Sequence, residues 1–295
     1  MSQRQCFGID GLDALLGGGL LPGTLTVIAG ATGAGKTQFG LRWAREGARA
    51  EGQPGVVCDL TSRGDAQNHR GYARAMFDWP LDEFPGHGHE DLDQIYDLSH
   101  AFAPYFHPFG RAGRRVTRRD LGPDEWHAWR TDLARVLRRA AFFFYGHFVR
   151  GGRRVVVDGI EPTERFPDSI QFEFFEYLYH QLIHQEDDWV ARELFREHFR
   201  RLQPKMESHR YDHSQIGCLY LYTTPHVMLD DLMVQPLSEG DVFANATTVI
   251  LLGRTREAGR MGRAAHVAKH RGSVCSDAIV QYELTDRGPR VGRSA

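Results

Sequence analysis

The chain has 295 residues, 41% of them hydrophobic, enough for one large buried core or two small ones. Its 36 basic side chains are offset by 38 acidic ones, for a formal charge of −2, which excludes a strongly basic nucleic-acid binder as the default reading. Cys6, Cys58, Cys218 and Cys275 are scattered without a CxxC pair, so they read as reduced thiols and not as a disulfide framework or zinc site. No apolar run reaches the ~18 residues of a membrane span, and the opening MSQRQCFGIDGLDALL lacks the pattern of a signal peptide. These features predict a cytoplasmic protein without membrane contact.

In chain order, residues 24–29 (TLTVIA) form a β-branched run that enters a glycine-rich segment. The spacing of Phe39, Leu41, Trp43 and Ala44 predicts a helix behind it. Residues 55–59, 153–157, 216–222 and 247–252 read as further buried strands, and 264–268 with 279–284 as a closing hairpin. Short apolar strands between helical stretches predict an α/β fold, a mostly parallel sheet flanked by helices. Two stretches interrupt this plan. Residues 77–125, rich in Pro, Gly, His and Asp, read as an irregular insertion, followed by a helix from Trp126 to Phe148. Residues 163–212 read as a helical insertion, from the spacing of Phe172, Phe175, Tyr179 and Leu182, then Leu194, Phe195, Phe199 and Leu202. With no internal repeat or low-complexity linker, 1–295 reads as one elaborated domain.

Gly30, Ala31, Thr32, Gly33, Ala34, Gly35, Lys36 and Thr37 fit G-x-x-x-x-G-K-[ST] without a mismatch. Strand, glycine loop and helix follow one another as a phosphate cradle requires: backbone N–H groups turn inward at the positive end of the helix. Lys36 would place a cation near the β- and γ-phosphates, and the Thr37 hydroxyl would ligate Mg²⁺. Three of the 36 basic side chains are lysines (Lys36, Lys205 and Lys269). Further on, an apolar strand ends at Asp158, where a carboxylate beside the loop would hold Mg²⁺ through its water shell; the plainer reading makes Asp158 a strand-end cap.

These motifs sit in a pattern that resembles a family. Gly8-Ile9-Asp10-Gly11-Leu12-Asp13, then Leu15-Leu16-Gly17-Gly18-Gly19 and Gly23, lead into the loop as in KaiC-like and RadA-like ATPases of the RecA superfamily. Lys269-His270-Arg271-Gly272-Ser273 is similar to that family's K-x-R-G segment. The resemblance covers roughly 1–75, 150–162 and 214–290, leaving both insertions out. It implies a RecA-like fold binding ATP and Mg²⁺, and a homo-oligomer, ring or filament, with nucleotide at each subunit interface. It also implies that Lys269 and Arg271, on one side of a strand, reach the γ-phosphate of a neighbouring subunit. The plainer reading of this pair is a solvated basic hairpin.

The chain departs from the family after the second strand. Thr61 and Ser62 occupy the positions of two adjacent glutamates, and neither hydroxyl can take a proton from an attacking water as a carboxylate would. Asp59, Asp65 and Glu161 are the candidate substitutes. His87, His89 and Glu90 read as an exposed polar loop in preference to a metal site, and residues 111–119 (RAGRRVTRR) as a solvated basic face in preference to a nucleic-acid contact. The favoured reading is an ATP-binding, slowly hydrolysing, oligomeric nucleotide-dependent switch whose insertions offer a surface to a protein partner. Its rivals are a recombination or repair ATPase assembling on DNA, and a nucleotide-binding scaffold without turnover.

Overall fold

The structure, a computed structural model, describes residues 3–61, 68–85, 91–110, 122–160, 169–234, 241–257 and 259–292. The chain enters through helix α1 (Asp10–Leu15) and runs through β1 (Leu25–Gly30), α2 (Lys36–Ala50), β2 (Val56–Asp59) and α3 (His69–Phe77). A two-residue strand β3 (Tyr105–Phe106), the long helix α4 (Pro123–Phe148) and β4 (Arg154–Ile160) come next. Three helices, α5 (Ile170–Tyr177), α6 (Asp187–Phe195) and α7 (Phe199–Ser208), precede β5 (Gly217–Thr223) and the short α8 (Leu229–Met233) and α9 (Asp241–Asn245). Four strands complete the chain: β6 (Thr248–Glu257), β7 (Arg260–His270), β8 (Ile279–Thr285) and β9 (Gly288–Val291).

The described strands form one sheet in the order β3-β2-β4-β5-β1-β6-β7-β8-β9. Pairing is parallel from β3 through β6 and antiparallel from β6 to β9. β1, β2 and β4 are buried at every position, as strands must be when helices cover both faces of a sheet. Side chains alternate between two cores. Val27, Cys58, Val157 and Tyr220 face α4 and the α5–α7 helices, packing with Phe143, Phe144, Phe175 and Leu194. Ile28, Val57, Val156 and Leu221 face α2 and the N-terminal leader, packing with Phe39, Trp43, Phe7 and Leu12. The result is the α/β architecture of a RecA-like P-loop fold, a large, mostly parallel sheet flanked by helices.

Several elements differ from the sequence reading. The stretch expected to be irregular supplies an edge strand, since β3 pairs with β2 at Val57↔Tyr105 and Cys58↔Phe106. It also buries Trp79, Leu81 and Ile95. A two-residue strand and singly spaced apolar anchors have no period to detect, which is why they escape pattern analysis. Helix α4 starts three residues early, at Pro123, with the Glu125 carboxylate accepting from the Gly122 N–H. β4 does not stop at Asp158 but slips register between Val157 and Ile160 and continues. The closing hairpin is also larger than expected, because β7 pairs with β6 over its whole length as well as with β8.

Candidate nucleotide-binding site

The glycine loop leaves the carboxyl end of the central strand β1 and delivers the chain to α2 at Lys36. Gly33 and Gly35 have φ of +80° and +96°, the left-handed region that side chains rarely enter. At Gly35, which caps α2, a Cβ would in addition lie 2.7 Å from the Leu284 side chain. The Tyr282 hydroxyl, also on β8, donates to the Ala34 carbonyl at 2.6 Å. The last antiparallel strands therefore brace the loop from behind. Lys36 is 6% exposed, and its Nζ donates to the carbonyls of Gly30 (2.9 Å) and Ala31 (3.0 Å). Burial lowers its pKa, opposed by the Asp158 carboxylate.

The Thr37 hydroxyl donates to Asp158 Oδ2 at 2.7 Å, so the loop and the strand-end acid meet directly. That bond turns the Thr37 hydroxyl toward the buried carboxylate. A buried carboxylate and a hydroxyl are hard oxygen donors, a set that suits Mg²⁺. Among the described residues no cluster of three or more His, Cys, Asp or Glu could hold a metal by itself.

Sequence reading missed the group that faces Asp158 from the other side. His69, the first residue of α3, is 1% exposed and lies between two carboxylates. Its Nε2 is 3.0 Å from Asp158 Oδ2 and its Nδ1 3.1 Å from Asp59 Oδ2. Burial opposes protonation of the ring, but the contacts with Asp158 and Asp59 outweigh it and push the pKa up to about 10. Burial likewise works against ionisation of Asp59, and His69 overrides it, with His107 and the Tyr105 hydroxyl assisting; the carboxyl is held well below its usual range. Asp59 also accepts from Tyr105 Oη (2.6 Å) and the Thr61 N–H (2.9 Å). A carboxylate so occupied is a weak proton acceptor. Thr61, at a family glutamate position, is 4% exposed and lies against the ring of His107, its Oγ1 3.1 Å and its carbonyl 2.9 Å from Nε2. Ser62, Asp65, Glu161, His87, His89, Glu90 and the 111–119 segment lie outside the described residues.

Lys269 and Arg271 stand elsewhere. β7 ends at His270, one residue short of Arg271, but the Arg271 N–H still bonds to Thr247 O (2.9 Å), so the alternation continues. His270 is buried and pairs with Thr248 Oγ1. Burial lowers the pKa of Lys269, and Arg271 nearby lowers it further, as two cations on one side would. Thr247 in turn bonds to Leu25 O, at the amino end of β1. The glycine loop begins at the other end of that strand, about 16 Å away at ~3.3 Å per residue. Arg4 joins the leader to this corner, donating to Leu16 O, Gly19 O and Ser273 Oγ. Two motifs some 250 residues apart in sequence thus form one structure.

Larger concavities exist, one of them bounded by Gln53, Pro54, Pro104, Arg150 and Gly152. Those residues precede β2, β3 and β4, so that hollow lies at the strands' amino ends, away from the glycine loop. The loop's own cleft is small and is bordered by Val227, Gly253, Arg254 and Tyr282. The sequence pattern for phosphate binding lies at the loop.

The sequence model of the KaiC ATPase family matches residues 6–100. The match runs past residue 77, so the likeness extends into the first insertion, which the sequence reading had left out. The DNA repair protein RadA of Mycobacterium tuberculosis, in strains CDC 1551 / Oshkosh and ATCC 25618 / H37Rv, is 51% identical over 52 residues. That stretch is 16% of this chain and 11% of RadA, so the chain spans about a tenth of the curated relative it matches. No helix among the described residues is long and apolar enough to cross a membrane. The sheet order and the glycine loop on its central strand are those of a RecA-like P-loop fold, and the two matches show the segment that carries the loop to be similar to the KaiC ATPase family and to RadA.

Proposed function

We propose that this protein binds ATP with Mg²⁺ at Gly30–Thr37, hydrolyses it slowly at interfaces between copies of itself, and works as a cytoplasmic nucleotide-dependent switch built on one elaborated domain. The observation that carries the reading is the separation of two halves of a site. The loop, Lys36, Thr37 and Asp158 gather at the carboxyl ends of the parallel strands. Lys269 and Arg271 sit at the amino end of β1, beyond the reach of their own loop. A neighbour's Lys269 and Arg271 would supply the cations that stabilise charge on the transferred phosphoryl group. When bound, Mg²⁺ supplies charge neutralisation for the β- and γ-phosphates. Thr37 and Asp158 would hold it, and Lys36 would orient the phosphates. Asp65 or Glu161 would orient the water, since Thr61 is turned to His107 and Asp59 to His69.

The RadA likeness supports a second reading, assembly on DNA. The formal charge of −2 works against it. On the switch reading, DNA binding is weak and fades steeply with salt. Nanomolar DNA affinity at physiological salt, strengthened by ATP, would favour the second reading. The test of the primary one is the native particle mass with and without ATP·Mg²⁺. The expected result is a nucleotide-dependent gain in mass. ATP turnover by a particle that stays monomeric throughout would overturn the interface.

A further inference from the structure

Asp59 and Asp158 are register partners on neighbouring parallel strands, so their side chains emerge side by side on one face of the sheet. Two buried carboxylates so placed repel each other unless something stands between them. His69 stands there. It is carried in at the start of α3, whose cap is Asn68, with the Asn68 side chain accepting from the Gly71 N–H at 2.8 Å. The ring also packs beside Tyr105, with centroids 5.7 Å apart. Asp158 is thereby held on three sides: Oδ2 by Thr37 Oγ1 (2.7 Å) and His69 Nε2 (3.0 Å), and Oδ1 by the Gly159 N–H (2.7 Å). The polar contacts continue from Asp158 through His69 to Asp59, and from there to Tyr105 on the edge strand. Buried polar contacts thus join the first insertion to the glycine loop, the His69–Asp59 step being an ion-pair contact and the others hydrogen bonds.

We propose that His69 is the positioning residue of the Mg²⁺ site: it holds the Asp158 carboxylate against Thr37, and Asp59 and Tyr105 hold His69 in turn. This rests on the reading of Gly30–Thr37 as the site of a nucleotide with Mg²⁺. His69 itself touches neither. Groups behind a metal's own contacts fix the direction of the donor oxygens, and their loss commonly weakens metal binding about 10–100-fold.

The test measures ATP affinity by calorimetry in EDTA and across a Mg²⁺ titration, for the wild type, His69→Ala, His69→Gln and Tyr105→Phe. In His69→Ala the Mg²⁺ concentration that gives half of the metal-dependent gain in affinity should rise at least about tenfold. Affinity for ATP in EDTA should stay within about twofold, because Lys36 and the loop are untouched. His69→Gln keeps one amide donor for Asp158 and should recover most of the loss. Tyr105→Phe, which removes only the backing of Asp59, should shift the midpoint by a few-fold, about the worth of one hydrogen bond. Melting temperature is recorded in parallel. Variants that melt earlier but keep the wild-type Mg²⁺ midpoint would show His69 to be structural and overturn the inference. If His69→Ala does not fold, Tyr105→Phe decides: a few-fold rise in its Mg²⁺ midpoint supports the inference and an unchanged midpoint overturns it. A wild type that binds ATP no better with Mg²⁺ than in EDTA would overturn the metal site itself, a failure distinguishable from the first.

Discussion

The two ends of the parallel sheet are built on opposite plans. At the carboxyl ends of β1, β2 and β4, the polar groups are buried and answer one another: Lys36 with loop carbonyls, Thr37 with Asp158, and His69 with two aspartates. At the amino end of β1 and the turn after β7, the cations lie nearer the surface, Lys269 Nζ donating to Ala244 O at 3.1 Å. Arg271 is exposed and Lys269 half-buried, while Arg4 and His270 fix the corner from beneath. Among the described residues, the first end carries the glycine loop with Lys36, and the second carries Lys269 and Arg271. On the proposed reading each copy holds two unlike halves of a site, and stacking copies end to end would unite them. Such a head-to-tail contact makes rings where the rotation closes and filaments where it does not.

Lys36→Ala attacks the first end and carries the largest expected effect. Taking about 3 kcal/mol for a lost charge-assisted contact, ATP affinity should fall about 10²-fold. Calorimetry on ATP·Mg²⁺ reads this directly, and wild-type affinity would break the assignment of the loop. The amino end is expected to be the acid-sensitive one. His147, near the end of α4, is 8% exposed among Phe102 and Phe143, with its Nε2 3.1 Å from Ala103 O. Burial, with a smaller push from the Arg150 guanidinium and opposed by the Ala103 carbonyl, lowers its pKa to about 3. The unfolded chain takes up a proton near pH 6.5 and the folded one only near 3, so stability is lost as pH falls through that window. From pH 7 to pH 5 the His147 contribution should fall by about 2 kcal/mol. His147→Gln should flatten that part of the profile in denaturant titrations, and an unchanged slope would refute the assignment. The smallest effect belongs to the brace behind the loop. Tyr282→Phe removes one hydrogen bond to Ala34 and should weaken ATP binding by only a few-fold, about 1 kcal/mol. A loss as large as that of Lys36→Ala would mean β8 does more than support the loop.

The sequence discloses these ends unequally, for a physical reason. The phosphate loop is contiguous, so its strand, glycines, lysine and threonine can be read in one pass, and the helix behind it follows from its period. Asp158 was legible as an acid at the end of an apolar run. His69, Tyr105, His107 and Tyr282 were not, because they reach the site from α3, from β3 and its exit, and from β8. Only the crossovers that lay β2 beside β4, and β3 beside β2, bring them together. His69 lies in a polar stretch, and nothing in its neighbours distinguishes it from a surface histidine. The position of Lys269 and Arg271 at the far end from the loop likewise depends on β6 running parallel to β1 and β7 returning antiparallel. Local spacing places the two residues on one side of a strand; only the sheet order places them away from their own nucleotide.

The central claim, that one copy's loop works with another's cations, is tested most directly by mixing two disabled proteins. Arg271→Ala alone should bind ATP within a few-fold of wild type and lose turnover, by up to about 10³-fold if the group is fully engaged. Lys36→Ala alone should be inactive for want of bound nucleotide. In an equal mixture, about one interface in four joins an intact loop to an intact Arg271 across a head-to-tail contact. ATPase activity should then return toward about a quarter of the wild-type rate, far above either variant by itself. A mixture no more active than the average of its two components, under conditions where wild-type copies assemble, would contradict the account.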